Sequence, residues 1–305
     1  MKIYQFIERY FWVFLLAGIL IGLWYPVFND MLMSLLKPIL MIMLFFVFLK
    51  TNLTQILEET KDVKLMIYII IINMLIIPVL FFFLTNLFSP GLAVGILLLT
   101  AMPAGVASPT LTDIVKGNTA LSMSIAIITS LIAPFTVPLL FGVLNINSLS
   151  ISPLAVFKDL IIIVFVPMII SQVIKKYFPV TIIKSQHLFT SINVILLFLI
   201  VYAVMGSQRD LILSNPTDII RKIAFLYLIF ILLHIVGYLT GYKQKRENKV
   251  AIAIGAAYMN NGMAIVLAAT HFDTSIVVLM VLAEIPWNTL LAPFGRIIRA
   301  LDKNS

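Results

Sequence analysis

The chain contains no cysteine among its 305 residues. That excludes disulfides, thiolate metal sites and thiol nucleophiles together. Charge is scarce too: 11% of residues are Asp, Glu, Lys or Arg, against 62% hydrophobic. A soluble domain of this length needs more polar surface. Histidine occurs three times, and no His, Asp or Glu spacing resembles a metal-ligand set. There is no Gly-rich phosphate loop, so no cofactor is expected beyond sodium or a proton as a coupling ion. No pair of aspartates or Ser/His couple falls at one depth of a span, so the chain does not read as an enzyme. Basic residues outnumber acidic ones, 21 to 13. Most of them sit in short links, so membrane topology explains the excess better than nucleic acid does.

Hydrophobic length is what the chain has. Mean hydropathy is +1.11, and apolar runs of roughly 20 residues recur throughout, as an all-α polytopic membrane protein requires. About ten spans follow: 10–28, 31–49, 63–84, 90–115, 119–144, 154–174, 187–206, 218–241, 249–271 and 274–300. The first run lacks a small-residue cleavage pattern, so no cleavable signal is expected. The polar link from Thr51 to Val63 reads as an interfacial turn. Lys2, Arg9, Lys50, Lys116, Lys175, Lys184, Lys245 and Arg296 are among the many basic residues on one side. Lys158, Arg209, Arg221 and Lys222 lie on the other. The positive-inside rule then places both termini in the cytoplasm, with the chain crossing the cell's cytoplasmic membrane many times. A nine-span count would leave Arg296, Arg299 and Lys303 outside, against that bias.

Two spans are interrupted. The first breaks at Met102-Pro103-Ala104-Gly105-Val106-Ala107-Ser108-Pro109 and the second at Met259-Asn260-Asn261-Gly262-Met263-Ala264. Gly105 and Gly262 are 157 positions apart, and Met102 then falls on Met259 and Ala107 on Ala264. Ala133-Pro134-Phe135 and Ala292-Pro293-Phe294 match at an offset of 159. Paired interruptions in two halves mark a transporter built from internal repeats. Five spans per half is odd, so the second copy is inverted: residues 1–148 form one repeat and 149–305 the other, with discontinuous helices four and nine crossing. Unwound backbone at membrane depth is tolerated only where protein or a watery cavity satisfies it.

The candidate substrate site is therefore Ala104, Gly105, Val106 and Ser108 with Asn260, Asn261, Gly262 and Asn288. Pro109 opens a second half-helix whose free N–H groups point at the cavity, with Ser108, Thr110 and Thr112 adding hydroxyls. Adjacent amides in an apolar span need partners or a ligand; interhelical bonding is the alternative. Glu284, near the middle of the tenth span, is the sharpest residue. An ionisable group there costs roughly 3 kcal/mol on insertion scales and should face the interior. Asn288 lies one turn on, and Pro286 frees a carbonyl nearby. The ion- or proton-coupling set is Glu284, Asn73, Thr129, Ser130 and Asn260. Ser122, Ala126, Thr129, Ser130 and Ala133 form a small-residue stripe on which spans four and nine can cross. Lys37 either snorkels to an interface or faces the cavity. Asp113 reads as interfacial, His234 as a core residue, and His187 and His271 as span ends.

These residues resemble a known family. Pro103-Ala104-Gly105-Val106-Ala107-Ser108-Pro109, then Lys116-Gly117-Asn118-Thr119-Ala120-Leu121-Ser122, then Thr129-Ser130-Leu131-Ile132-Ala133-Pro134 with Pro138 are similar to the bile acid:sodium symporter family. Asn260-Asn261-Gly262-Met263-Ala264 resembles its ninth-span break. The resemblance implies ten spans, with a mobile core (spans 3–5 and 8–10) moving against a panel (spans 1, 2, 6 and 7). The family's sodium ligands are replaced here: an Asn by Pro109, a Glu by Gly255, a Gln by Met259 and a third-span Gln by Asn73. The Glu284-Ile285-Pro286 step also resembles arsenite-efflux carriers, but their fourth-span cysteine is missing. The expectation is a secondary active transporter for a small organic anion or similar solute, coupled to a proton or cation. An uncoupled facilitator on the same fold is the alternative.

Overall fold

A computed structural model describes residues 3–51, 62–144 and 152–303. Residues 52–61 of the link read as an interfacial turn lie outside them. Helices α1 (Ile3–Arg9), α2 (Phe11–Trp24), α3 (Asn29–Ser34) and α4 (Leu36–Lys50) come first. Helix α5 (Val63–Ile71) runs through a π-helical turn (Ile72–Ile76) into α6 (Ile77–Phe88). Helices α7 (Pro90–Ala101) and α8 (Ser108–Ile114) flank the first break. Then come α9 (Thr119–Val143), α10 (Pro153–Tyr177), α11 (Pro179–Ser207), α12 (Arg209–Ser214) and α13 (Pro216–Thr240). Helices α14 (Arg246–Ala257) and α15 (Asn261–His271) flank the second break, and α16 (Thr274–Leu282), α17 (Glu284–Thr289) and α18 (Leu291–Lys303) complete the chain.

Local chemistry sets many of these boundaries. The side chains of Asp62, Asn118, Ser152 and Asn215 each accept the N–H three residues on, at the starts of α5, α9, α10 and α13. Pro90, Pro153, Pro179 and Pro216 open helices where a missing N–H costs nothing. The π turn sits where Pro78 withholds its N–H from the carbonyl of Met74.

Val63–Phe88, Thr119–Val143, Pro153–Tyr177, Pro179–Ser207 and Pro216–Thr240 are each long and apolar enough to cross a bilayer. A sixth is formed if Thr274–Thr289 and Leu291–Leu301, bent by about 40°, count as one. Large apolar side chains such as Leu20, Phe83, Ile170 and Leu228 face outward from the bundle. The chain is a multi-pass membrane protein.

The tenth span departs from expectation. Residues 274–300 are not one helix: α16, α17 and α18 are separate pieces, and Glu284 opens the second of them. Ala133-Pro134 lies inside the unbroken α9, whereas Ala292-Pro293 lies just past the bend that starts α18. The shared tripeptide therefore sits in two different backbones.

The helices pack pairwise around one another. Helix α11 lies along α2 and α4, and α10 along α4. Helix α6 packs on α7, α13 on α14, and α9 on α8 and α14. Helix α9 also packs extensively on α10, α15 meets α4 and α11, and α16 meets α11. Helix α14 is buried from Val250 to Ala257, α15 from Asn261 to Ala268 and α16 from Ile276 to Leu282. The centre of the protein is thus built from the second broken segment and α16.

Candidate functional site

The two breaks meet. Ala104 and Met259 form an antiparallel β-bridge. Gly105 N–H donates to the Tyr258 carbonyl at 2.6 Å, and Asn260 N–H donates to the Pro103 carbonyl at 2.8 Å. Each unwound strand supplies the hydrogen bonds the other has lost from its helix. Ser108 Oγ also donates to the Tyr258 carbonyl (3.1 Å), and Ala104 N–H donates to Thr129 Oγ1 (3.1 Å), tying the crossing to α9. Gly105 is required by this approach. A Cβ there would lie 2.8 Å from the Tyr258 oxygen and 2.9 Å from that of Met259.

Local hydrogen bonding corrects one expectation. At the start of α8 the N–H groups of Ser108 and Leu111 do not wait for an anion; they bind the Gly105 and Ala107 carbonyls. The Ser108 and Thr112 hydroxyls are committed too, Thr112 donating to Ser122 Oγ at 2.9 Å and so seating α8 on α9, while Thr110 is exposed. Ser130 Oγ donates back to the Ala126 carbonyl. Ala104, Gly105 and Ser108 are buried, and Val106 is the exposed member of the four.

The adjacent amides split their roles. Asn260 caps α15, its Oδ1 accepting from Met263 N–H at 3.1 Å. Asn261 turns inward: its Nδ2 donates to Glu284 Oε1 (2.9 Å) and to the Met280 carbonyl (3.0 Å). Asn288 Nδ2 donates to Glu284 Oε2 (3.0 Å) and to the Glu284 carbonyl (2.7 Å). Glu284 is 4% exposed, and among the described residues no Lys, Arg or His pairs with it. Trp287 joins α17 to the crossing, its Nε1 donating to the Met259 carbonyl at 3.2 Å and its ring packing edge-on to Tyr258.

Gly262 lies beside Leu40 of α4 and Leu197 of α11, so the second break faces those two helices. Asn73, expected in the coupling set beside Glu284, lies in the π turn and makes no hydrogen bond to it. Its amide is buried, without a hydrogen-bond partner among the described residues, in the space left by Gly255.

Sequence reasoning passed over Asp159. Its carboxylate takes Lys37 Nζ at 2.7 Å and His271 Nε2 at 2.8 Å, joining α10, α4 and α15. Lys37 therefore neither snorkels freely nor points into a cavity, and His271 is more than a span end. An acidic residue inside an apolar run demands a partner, and that signal is present in the sequence. Among the described residues no group of His, Asp or Glu could hold a metal ion.

The sequence matches the SBF-like CPA transporter family over residues 9–290. The chain belongs to that family. It is also 28% identical over 280 residues to YocS of Bacillus subtilis (strain 168), described as an uncharacterized sodium-dependent transporter. The alignment covers 89% of this chain and 85% of that one. The crossing and Glu284 are joined by Asn261, at the start of the buried helix α15.

Proposed function

We propose that this protein is a secondary active transporter. It moves a small organic anion or similar solute across the cytoplasmic membrane by alternating access, with both termini cytoplasmic. Ten spans form two inverted five-helix repeats, 1–148 and 149–305, and the solute binds beside the crossing of Ala104–Ser108 and Asn260–Gly262. Spans 3–5 and 8–10 move as a core against a panel of spans 1, 2, 6 and 7. The packing of α11 on α2 and α4, and of α13 on α14, supports that division, with α9 against α10 as its contact across.

One observation carries the reading. Asn261 is both the first residue of the half-helix leaving the crossing and the donor to the buried Glu284. Whatever changes the charge on Glu284 therefore acts directly on the backbone that would hold the solute. Glu284 is the coupling residue, taking a proton or a cation, with Asn288 as its neighbour. The name of the Bacillus relative supports a sodium-linked cycle. Carriage of arsenite is disfavoured, since the chain has no cysteine.

The test is uptake of small carboxylates into proteoliposomes under imposed sodium or proton gradients, after a thermal-shift screen for ligands. Accumulation above the external concentration is expected with one of the two gradients, and its loss in Glu284→Gln. Flux without accumulation would identify an uncoupled facilitator. Accumulation unchanged in Glu284→Gln at every pH would remove Glu284 from coupling.

A further inference from the structure

We propose that Glu284, Asn261 and Asn288 form a binding site for a single monovalent cation, with sodium as the ion to test. The inference rests on the reading of Glu284 as the coupling residue and names its ion.

Six oxygens belong to this cluster. The Met280 carbonyl and Glu284 Oε1 both accept from Asn261 Nδ2. The Glu284 carbonyl and Oε2 both accept from Asn288 Nδ2. The remaining two, Asn261 Oδ1 and Asn288 Oδ1, are buried and have no hydrogen-bond partner among the described residues. Two NH2 groups thus serve both carboxylate oxygens and two main-chain carbonyls, while two buried amide oxygens go unused. Buried polar atoms without partners are few in a native protein, and each calls for a reason. The two ends of an amide have nearly the same shape. Turning either amide over places an oxygen among the other acceptors, a surplus that a bare cation would satisfy. Pro286 adds to the surplus, because it has no N–H to give to the Leu282 carbonyl.

Charge selects the class of ion. The cluster carries one carboxylate, and no described Lys, Arg or His balances it. A buried charge left alone is costly. A monovalent cation brings the site to neutrality, whereas a divalent ion would leave an excess positive charge in the same buried volume. All-oxygen coordination by carboxylate, amide and carbonyl groups suits a hard cation. Asn73 is also unpartnered among the described residues, but it lies beside Gly255 and no carboxylate is hydrogen-bonded to it. The cluster is coupled to the crossing as well. Drawing Asn261 Oδ1 onto an ion takes its Nδ2 off Glu284 at the first turn of α15, next to the residues bridged to the first break.

The experiment is binding of radioactive sodium to the purified full-length protein in detergent, in choline buffer, with lithium and potassium as competitors. Wild type should bind one sodium saturably. Glu284→Gln should bind none, and Asn288→Ala should bind at least about tenfold more weakly, the lower end of what a disturbed ion site loses. Thr85→Val, a buried change on α6, should bind as wild type does. Should Glu284→Gln fail to elute as a folded species, Asn288→Ala decides, because its side chain is only half-buried. The proposal falls if wild type binds no sodium, if the variants keep wild-type affinity, or if loss follows Asn73→Ala instead. Absence of sodium binding together with proton-driven uptake would remove this ion and leave Glu284 as a proton-coupled residue. Sodium binding lost in Glu284→Gln, with no solute accumulated under any gradient, would keep the ion site and remove the coupled-transport reading.

Discussion

At the scale of single residues, the protein depends on a few atoms that have no room to move. Gly105 is the plainest. Its would-be Cβ meets two carbonyl oxygens of the facing strand, and backbone oxygens cannot swing aside as a side chain can. Gly105→Ala should therefore part the two breaks and lower stability by about 1–3 kcal/mol, the usual cost of overpacking. Gly91, on α7, has nothing within 4 Å of the place an added methyl would take, so Gly91→Ala should be neutral or stabilise by about 0.4–1 kcal/mol through the unfolded chain. Melting temperatures in one detergent compare the two directly, and a Gly105→Ala variant as stable as Gly91→Ala would mean the strands do not touch as described. Gly105 and Gly262 are legible in the sequence because glycine and proline interrupt an apolar run so visibly. The division of labour between Asn260 and Asn261 is not. It depends on which of the two is the last residue outside α15, and a helix start shifted by one residue would exchange cap and Glu284 partner.

At the scale of elements, the sequence marks most helices by length and most starts by Pro, Asn, Asp or Ser, yet it misreads the tenth span. Leu291 onward is apolar enough to extend α17 on paper, while the backbone bends by about 40° at that point. It also conceals the junction made by Asp159, because its partners lie far away in the chain, on α4 and α15. In the proposed division Lys37 and Asp159 belong to the panel and His271 to the core. The pair between Asp159 and His271 must then part whenever that face opens. Asp159→Asn weakens it by removing the charge. The pair is partly exposed, so a contribution of about 1 kcal/mol applies, which corresponds to about a fivefold shift in population. The chain's lack of cysteine makes this measurable. Leu40→Cys, 1% exposed and beside Gly262, should react slowly with a membrane-impermeant maleimide applied from the face of the junction. It should react about fivefold faster when combined with Asp159→Asn. Equal rates would mean the junction holds nothing shut.

At the scale of the whole molecule, the number of crossings is the quantity that ties the repeats to transport. Among the described residues, length and apolarity pick out five helices, or six with the bent pair. That count is low for a physical reason. Helices α7, α8, α14 and α15 are 12, 7, 12 and 11 residues long, and each alone is too short for a bilayer that needs about 20. Joined across its break, each pair reaches that length, and the exposed ends of the breaks are hidden against one another. Helices α2 and α3 with α4 complete two more crossings by the same reasoning, which brings the proposed total to ten. Ten crossings put the end of α9 and the start of α10 outside and the end of α18 inside, and only an odd number before α10 inverts the second half. Alkaline phosphatase joined after Asn147 should therefore be active, while a fluorescent protein joined after Ser305 should fold and fluoresce in the cytoplasm. A dark C-terminal fusion would leave nine crossings and place Arg296, Arg299 and Lys303 outside. The two breaks would still meet, but as halves of a molecule without inverted symmetry, and one site reached in turn from each side would lose its geometric basis.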